Sequence, residues 1–223
     1  MREYDFEPIP GLPERLPPGE EVLWQGSPSW KALARRAFHV RKVAIYFVIL
    51  AVLAVLVDAS DGLTLASLVQ GLTWILLLAA VSIGALTWLG WSMGRSSLYT
   101  ITNRRVVMRI GAALPMMMNL PFKQVRSADL RVYEDGTGDI PLLLDKSAKP
   151  SYMIFWPHVR PWHFSPPQPM LRAIPDAAKV AGILAEALKG YLESVAQESE
   201  PGTPVSSDSA DAASLASGTE TLS

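Results

Sequence analysis

Residues 72–91 read LTWILLLAAVSIGALTWLGW, twenty consecutive positions without a charge. As an α-helix, at about 1.5 Å rise per residue, this run matches a bilayer core of about 30 Å. Trp88 and Trp91 stand near its end, where amphipathic rings favour the headgroup level. An earlier run, residues 43–57 (VAIYFVILAVLAVLV), is only fifteen long. It is either a buried core helix or a short span whose flanking Arg41 and Lys42 snorkel to the interface. The span is the better reading, because a helix that stopped inside the bilayer would leave backbone groups unpaired in lipid. Asp58, Asp61 and Gly62 mark the turn between the runs, so the second helix starts between residues 63 and 72.

Basic residues set the orientation. Lys31, Arg35, Arg36, Arg41 and Lys42 precede the first helix, and Arg95, Arg104, Arg105 and Arg109 follow the second. The connecting turn carries no Lys or Arg, so both termini are expected in the cytoplasm, with the chain in an inner membrane. Composition agrees: hydrophobic residues make up 49% and charged residues only 18%, a surplus that calls for an apolar solvent. A net charge of −1 argues against a nucleic-acid partner bound through phosphate neutralisation. The chain has no cysteine, which removes disulfides, thiolate metal sites and a cysteine nucleophile. Residues 1–21 are acidic and proline-rich without an apolar core, so no signal peptide is expected there.

Five segments follow: an N-terminal cytoplasmic segment (1–28), an interfacial amphipathic helix (29–42), a transmembrane hairpin (43–94), a soluble domain (95–197) and a disordered tail (198–223). In the second, Trp30, Leu33, Ala34, Ala37 and Phe38 recur at helical spacing opposite Lys31, Arg35, Arg36 and His39, as in a helix lying on an anionic leaflet. The alternative is a plain extension of the membrane helix. In the soluble domain, short β-like runs at 98–102, 105–110, 116–120, 128–132, 140–144 and 152–156 suggest a small bent antiparallel sheet. Ala177, Val180, Leu184, Leu188, Tyr191 and Val195 then form one helical stripe, suited to closing the open end of that sheet. The tail is rich in Ser, Thr, Ala, Gly and acidic residues, too poor in large apolar groups to offset the entropy of ordering.

Strands closed by one helix is the order of a pleckstrin-homology-like (PH-like) domain. YTITNRRVV (99–107) with Gly111 resembles the opening hairpin of bacterial PH domains that sit beside membrane helices. The fold class expected is therefore a two-helix transmembrane hairpin with a cytoplasmic α+β PH-like domain. Further segments resemble the PuhB family of photosynthetic complex assembly proteins from purple phototrophic bacteria. They are DFEP (5–8), GLP (11–13), LWQGSP (23–28), ARRAFHVRKVAIYF (34–47), YTITNRR (99–105), HVRPW (158–162), QP (168–169) and PDAA (175–178). The resemblance covers essentially everything before the tail. It implies a non-enzymatic assembly factor for the reaction centre and its surrounding light-harvesting complex, with subunits of both as partners. It supplies no catalytic or ligand residue.

Three histidines bound the metal and pigment chemistry. His39 lies at the membrane edge, and neither apolar run contains an imidazole, so it reads as an interfacial or capping residue rather than a pigment ligand. His158 and His163 lack a third ligand, so no metal and no cofactor are expected. Trp156, Arg160, Trp162 and Phe164, on a proline-stiffened loop, are the types enriched at binding hot spots; they suit a protein-binding surface or gap-filling in the core equally well. Trp30, Lys31, Arg35, Arg36, Arg41, Lys42, Arg104 and Arg105 are candidates for contact with membrane lipid. Around Arg104 and Arg105, ordinary positive-inside charge is the simpler explanation. Met116, Met117 and Met118 fit an adaptable surface or a core strand. No phosphate loop, zincin motif or nucleophile with a positioned base is present. A membrane-anchored PH-like module binding anionic lipid or a small ligand is the alternative function, and pairing with a second copy stays open.

Overall fold

The computed structural model describes residues 11, 12, 14–62, 64–111, 116–145 and 151–199. The chain divides after Tyr191: Met1–Tyr191 is one compact unit and Leu192–Ser223 a second, described only for the last turns of a helix. The tail expected to be disordered (198–223) lies almost wholly outside the described residues.

Two apolar helices are joined by a tight turn. Helix α2 (Val40–Asp61) starts before the fifteen-residue apolar run and ends after it, closed by Gly62 in the left-handed conformation (φ 66°). Helix α3 (Leu65–Ser96) is capped by Thr64, whose hydroxyl accepts from the Ser67 amide, within the expected start window. Both are long and apolar enough to cross a membrane, and neither apolar window is covered by the rest of the chain. Soluble proteins rarely leave so large a contiguous apolar surface open to water.

The hairpin is inserted between two paired strands. Strand β1 (Val22–Gly26), before the helices, pairs antiparallel with β2 (Leu98–Thr102), after them. Strands β3 (Arg105–Ile110) and β4 (Met116–Pro121) complete a four-stranded sheet in the order β1-β2-β3-β4. The domain therefore begins upstream of the expected boundary at 95 and takes in part of the segment assigned to 1–28.

A second sheet has the order β5-β7-β9-β8, built from β5 (Val125–Ala128), β7 (Gly138–Leu144), β9 (Pro167–Ile174) and β8 (Val159–Phe164), with the two-residue β6 (Arg131–Val132) beside β7. Strands β1, β8 and β9 were not expected. The last two are dense in proline, which removes ladder donors; β8 lies at the sheet edge, where that loss is tolerated, and its pairing with β9 is irregular. The strand expected at 152–156 is instead a single helical turn, α4 (Tyr152–Phe155). The strand expected at 128–132 is broken between β5 and β6.

The closing helix α5 (Ala177–Ser199) inserts Ala177, Val180, Leu184 and Ala187 into a core shared with Tyr99, Ile101, Met108, Leu142 and Leu171 of both sheets. Helix α1 (Trp30–Arg36) is shorter than expected, ending before a break at Ala37–His39. Its apolar side does not rest on lipid. Leu33 and Phe38 are buried with Ala173 of β9, against Leu86, Leu89 and Met93 of α3. Gly90 and Gly94, one turn apart on α3, allow this close approach: a Cβ at either would stand 2.9 Å from the Cα of Ala34 or Trp30 respectively.

Candidate functional site

The break between α1 and α2 brings charge to one place. His39 takes a left-handed conformation (φ 54°), so the chain turns and Arg36 and Lys42 face the second sheet. There they line a cleft of ≈ 610 Å³ with Asp129, Leu130, Arg131 and Tyr133 from around β6, Asp139 and Pro141 of β7, Arg160, Pro161 and Trp162 of β8, and Met170 and Arg172 of β9. On the other side of α1 lies a groove of ≈ 430 Å³. It is lined by Trp30, Lys31, Ala34 and Arg35, by Val40, Arg41 and Ala44, and by Thr87 of α3.

The sequence candidates thus divide. Trp30, Lys31, Arg35 and Arg41, expected at lipid, share the groove. Arg36 and Lys42 fall instead in the cleft with Arg160 and Trp162. Arg36 is committed to protein: it grips both carboxylate oxygens of Asp135 at 2.7 Å and stacks 3.5 Å over the Tyr133 ring. Hydrogen bonds from Arg36, then from Thr137, hold the Asp135 carboxyl down at about 2. Arg104 and Arg105 line neither depression. Arg105 forms a bidentate pair with Glu20, whose side chain is only 3% exposed, so its task is to neutralise a buried acid.

The aromatics lie at the surface of β8 and α4. Trp162 is 84% exposed, Phe164 58% and Trp156 44%, which leaves the core-filling alternative without support for Trp162. Trp156 makes an edge contact with Phe38, and Phe164 lies against Tyr152.

Beneath the cleft is a polar network that sequence reading missed. His158, expected on a loop with His163, is fully buried: its Nδ1 faces the Tyr99 hydroxyl at 2.5 Å and its Nε2 faces Ser97 Oγ at 3.1 Å. The Tyr99 hydroxyl also accepts from the Arg172 amide (3.3 Å), and the His158 tautomer sets which groups donate along Tyr99–His158–Ser97. Both Ser97 and His158 are sealed from solvent. Burial, then the Arg172 charge, pulls the His158 imidazole down to about 3, and burial pushes the Tyr99 hydroxyl up.

Arg172 is the other missed residue. It is 8% exposed, and its guanidinium donates to the carbonyls of Pro157 (2.8 Å) and Arg36 (3.4 Å), leaving Nε without a partner. Asp139, on the neighbouring strand, accepts from the Ala173 amide and the Tyr133 hydroxyl, both at 2.8 Å. The available signal was a lone Arg inside the apolar strand MLRAI (170–174), a position usually closed to charge. No group of three metal-ligating side chains occurs among the described residues.

Antiparallel sheets closed by a C-terminal helix, joined to two long apolar helices, define a PH-like module. Residues 39–188 match the model of the bacterial PH domain, and the chain belongs to that family. The match takes in both long helices and leaves β1 and α1 outside. The chain is 42% identical, over 192 residues, to a Rhodobacter capsulatus protein named "Uncharacterized 23.7 kDa protein in puhA 5'region"; the alignment covers 85% of this chain and 89% of that one. No solved structure matches it.

Proposed function

We propose that this chain is a non-enzymatic assembly factor for the bacterial photosynthetic reaction centre and its light-harvesting complex, a PuhB-type protein. The observation that carries the reading is the extensive identity to a protein named for its place in the 5′ region of puhA. The segment-by-segment resemblance to the PuhB family points the same way. In this reading the α2–α3 hairpin crosses the inner membrane twice, and the sheets and both termini lie in the cytoplasm, because Lys and Arg flank the outer ends of the hairpin and are absent from its turn. The exposed Trp162, Phe164 and Trp156 are then the side chains offered to nascent membrane subunits. Large aromatics on a proline-stiffened edge give contact area at little entropic cost.

Affinity purification of the tagged protein from pigmented membranes in mild detergent tests the reading. Reaction-centre and light-harvesting subunits are expected in the eluate. An eluate with lipid and no photosynthetic subunit would overturn it. Trp162→Ala, which removes an exposed ring, is expected to leave the protein folded and membrane-inserted while lowering the yield of reaction centre–antenna complex.

A further inference from the structure

Outside the two long helices, exposed apolar side chains gather on α4 and β8. Met153 is 80% exposed, and Ile154, Trp156, Trp162 and Phe164 stand open beside it. The Phe164 ring lies 4.6 Å from Tyr152 and 6.4 Å from Trp162, so α4 and β8 present one face. Residues 151–175 contain no Asp or Glu, and Arg160 of β8 is engaged by Gln168 and Asp129. A soluble domain seldom leaves a contiguous apolar face of this kind to water. The face adjoins the charged end of the apolar helices. Trp156 meets Phe38 edge-on at 5.6 Å, and Phe38 is packed with Leu86, Leu89 and Met93 of α3. Trp162 lines the cleft opposite His39 and Lys42, where α2 begins. Trp88 and Trp91, both exposed, belong to the same stretch of α3 as Leu86 and Met93.

We propose that α4 and the edge strand β8 dip into the headgroup layer of the membrane that the hairpin crosses, as an apolar contact that needs no anionic lipid. Tryptophan favours this layer, because its ring leaves water while its N–H stays hydrated. Met153 and Ile154 add aliphatic surface, and the absence of acids removes the side chains an anionic leaflet would repel. The edge itself suits a layer poor in water. Unpaired backbone donors are costly there, and Pro161 within β8, with Pro157, Pro166 and Pro167 around it, has no N–H to leave unpaired. Trp162 takes a left-handed conformation (φ 63°), a strained one for a bulky residue, with its ring held outward. The inference rests on the two spans of the reading above and not on the assembly role. It sets the depth at which Trp162 and Phe164 would meet a membrane subunit.

The chain has no native cysteine, so single-cysteine variants carry one fluorescent label at a time. Met153→Cys and Phe164→Cys, both at exposed positions, place labels on the face; Leu77→Cys, exposed on α3, places one on the span. Each labelled full-length chain is put into phosphatidylcholine nanodiscs, one chain per disc, which excludes a second copy as the cover. Lipids bearing a nitroxide near the carbonyls are expected to quench most of the emission of both face labels, and equally when phosphatidylglycerol is added. Lipids bearing it deep in the acyl chain are expected to quench the span label. Face labels that keep their emission while the span label is quenched would overturn the proposal and leave the face to a protein partner. Quenching of the face labels that requires phosphatidylglycerol would overturn it too, since charge rather than apolar contact would then hold the face. A span label that escapes quenching would refute the two spans, and the proposal with them.

Discussion

Gly94→Ala tests the docking of α1 on α3, the contact that ties the apolar hairpin to the sheets. A Cβ at Gly94 would meet the Cβ of Trp30 at 2.6 Å and its Cα at 2.9 Å. Carbon atoms in favourable contact stand about 3.5–4.0 Å apart, so α1 would have to retreat by about 1 Å. Backbone lies behind the contact, so no flexible side chain can absorb the shift. The retreat would pull on the Ser29 amide, which donates to the Ala173 carbonyl at 2.8 Å, and on the Arg36–Asp135 pair. Overpacking of this kind costs roughly 1–3 kcal/mol. Against it stands the helix-propensity gain of Ala over Gly, about 1 kcal/mol. Gly84 on the same helix supplies the control, because nothing lies within 4 Å of its added Cβ and only the gain applies. Gly94→Ala is therefore expected to be less stable than Gly84→Ala by about 1–3 kcal/mol, the overpacking term alone. Thermal unfolding in detergent measures the difference, and limited trypsin cleavage at Lys31, Arg35 and Arg36 reports whether α1 has lifted. Equal midpoints for the two variants, with unchanged cleavage, would refute the packing argument.

Arg105→Ala strands the buried Glu20 carboxylate and is expected to cost roughly 3–5 kcal/mol, while Glu20→Gln/Arg105→Gln recovers most of it; chemical denaturation of the three proteins checks this. His158 gives an acid-sensitive core. Its folded value near 3 lies below the ordinary 6.5, so the unfolded state binds the proton first, and stability present above pH 6.5 is lost as pH falls from there toward 3. The slope is at most about 1.4 kcal/mol per pH unit, and between pH 6.5 and 5 it should flatten in His158→Gln relative to wild type. A reporter fused at Ser223 is expected to signal from the cytoplasm, and a periplasmic signal would reverse the orientation.

What the sequence disclosed depended on how local the cause was. The apolar run at 72–91 needed no partner to be read, and the helical stripe from Ala177 to Tyr191 needed only its own period. Strands 98–102 and 105–110 were legible because an Asn-Arg turn separates two short β-rich runs. Strand β1 was not, because its partner lies more than seventy residues away across the hairpin; Gln25 pairs with Thr100. The candidate sites followed the same rule. Charge near a membrane helix was visible, but its division was not: whether Arg36 meets lipid or Asp135 depends on a turn ninety-nine residues downstream. His158 looked like a loop residue because prolines surround it, and only the fold supplies Tyr99 and Ser97 as its partners.

Insertion of the hairpin between β1 and β2 gives the two apolar helices a mechanical link to the domain. A PH-like domain strung after a membrane anchor would hang from one flexible connection, and its orientation to the bilayer would be free. Here the chain enters the hairpin from the first strand of a sheet and leaves it into the second, and those strands are hydrogen-bonded neighbours. Helix α1 adds a third attachment, held by α3 on one side and by Ala173 of β9 on the other, so both sheets are coupled to the helices. The surface that carries Trp162 and the basic cleft is thereby held at a fixed height above the apolar helices. If the proposed assembly role holds, that fixed height restricts the search for a partner to a layer near the membrane.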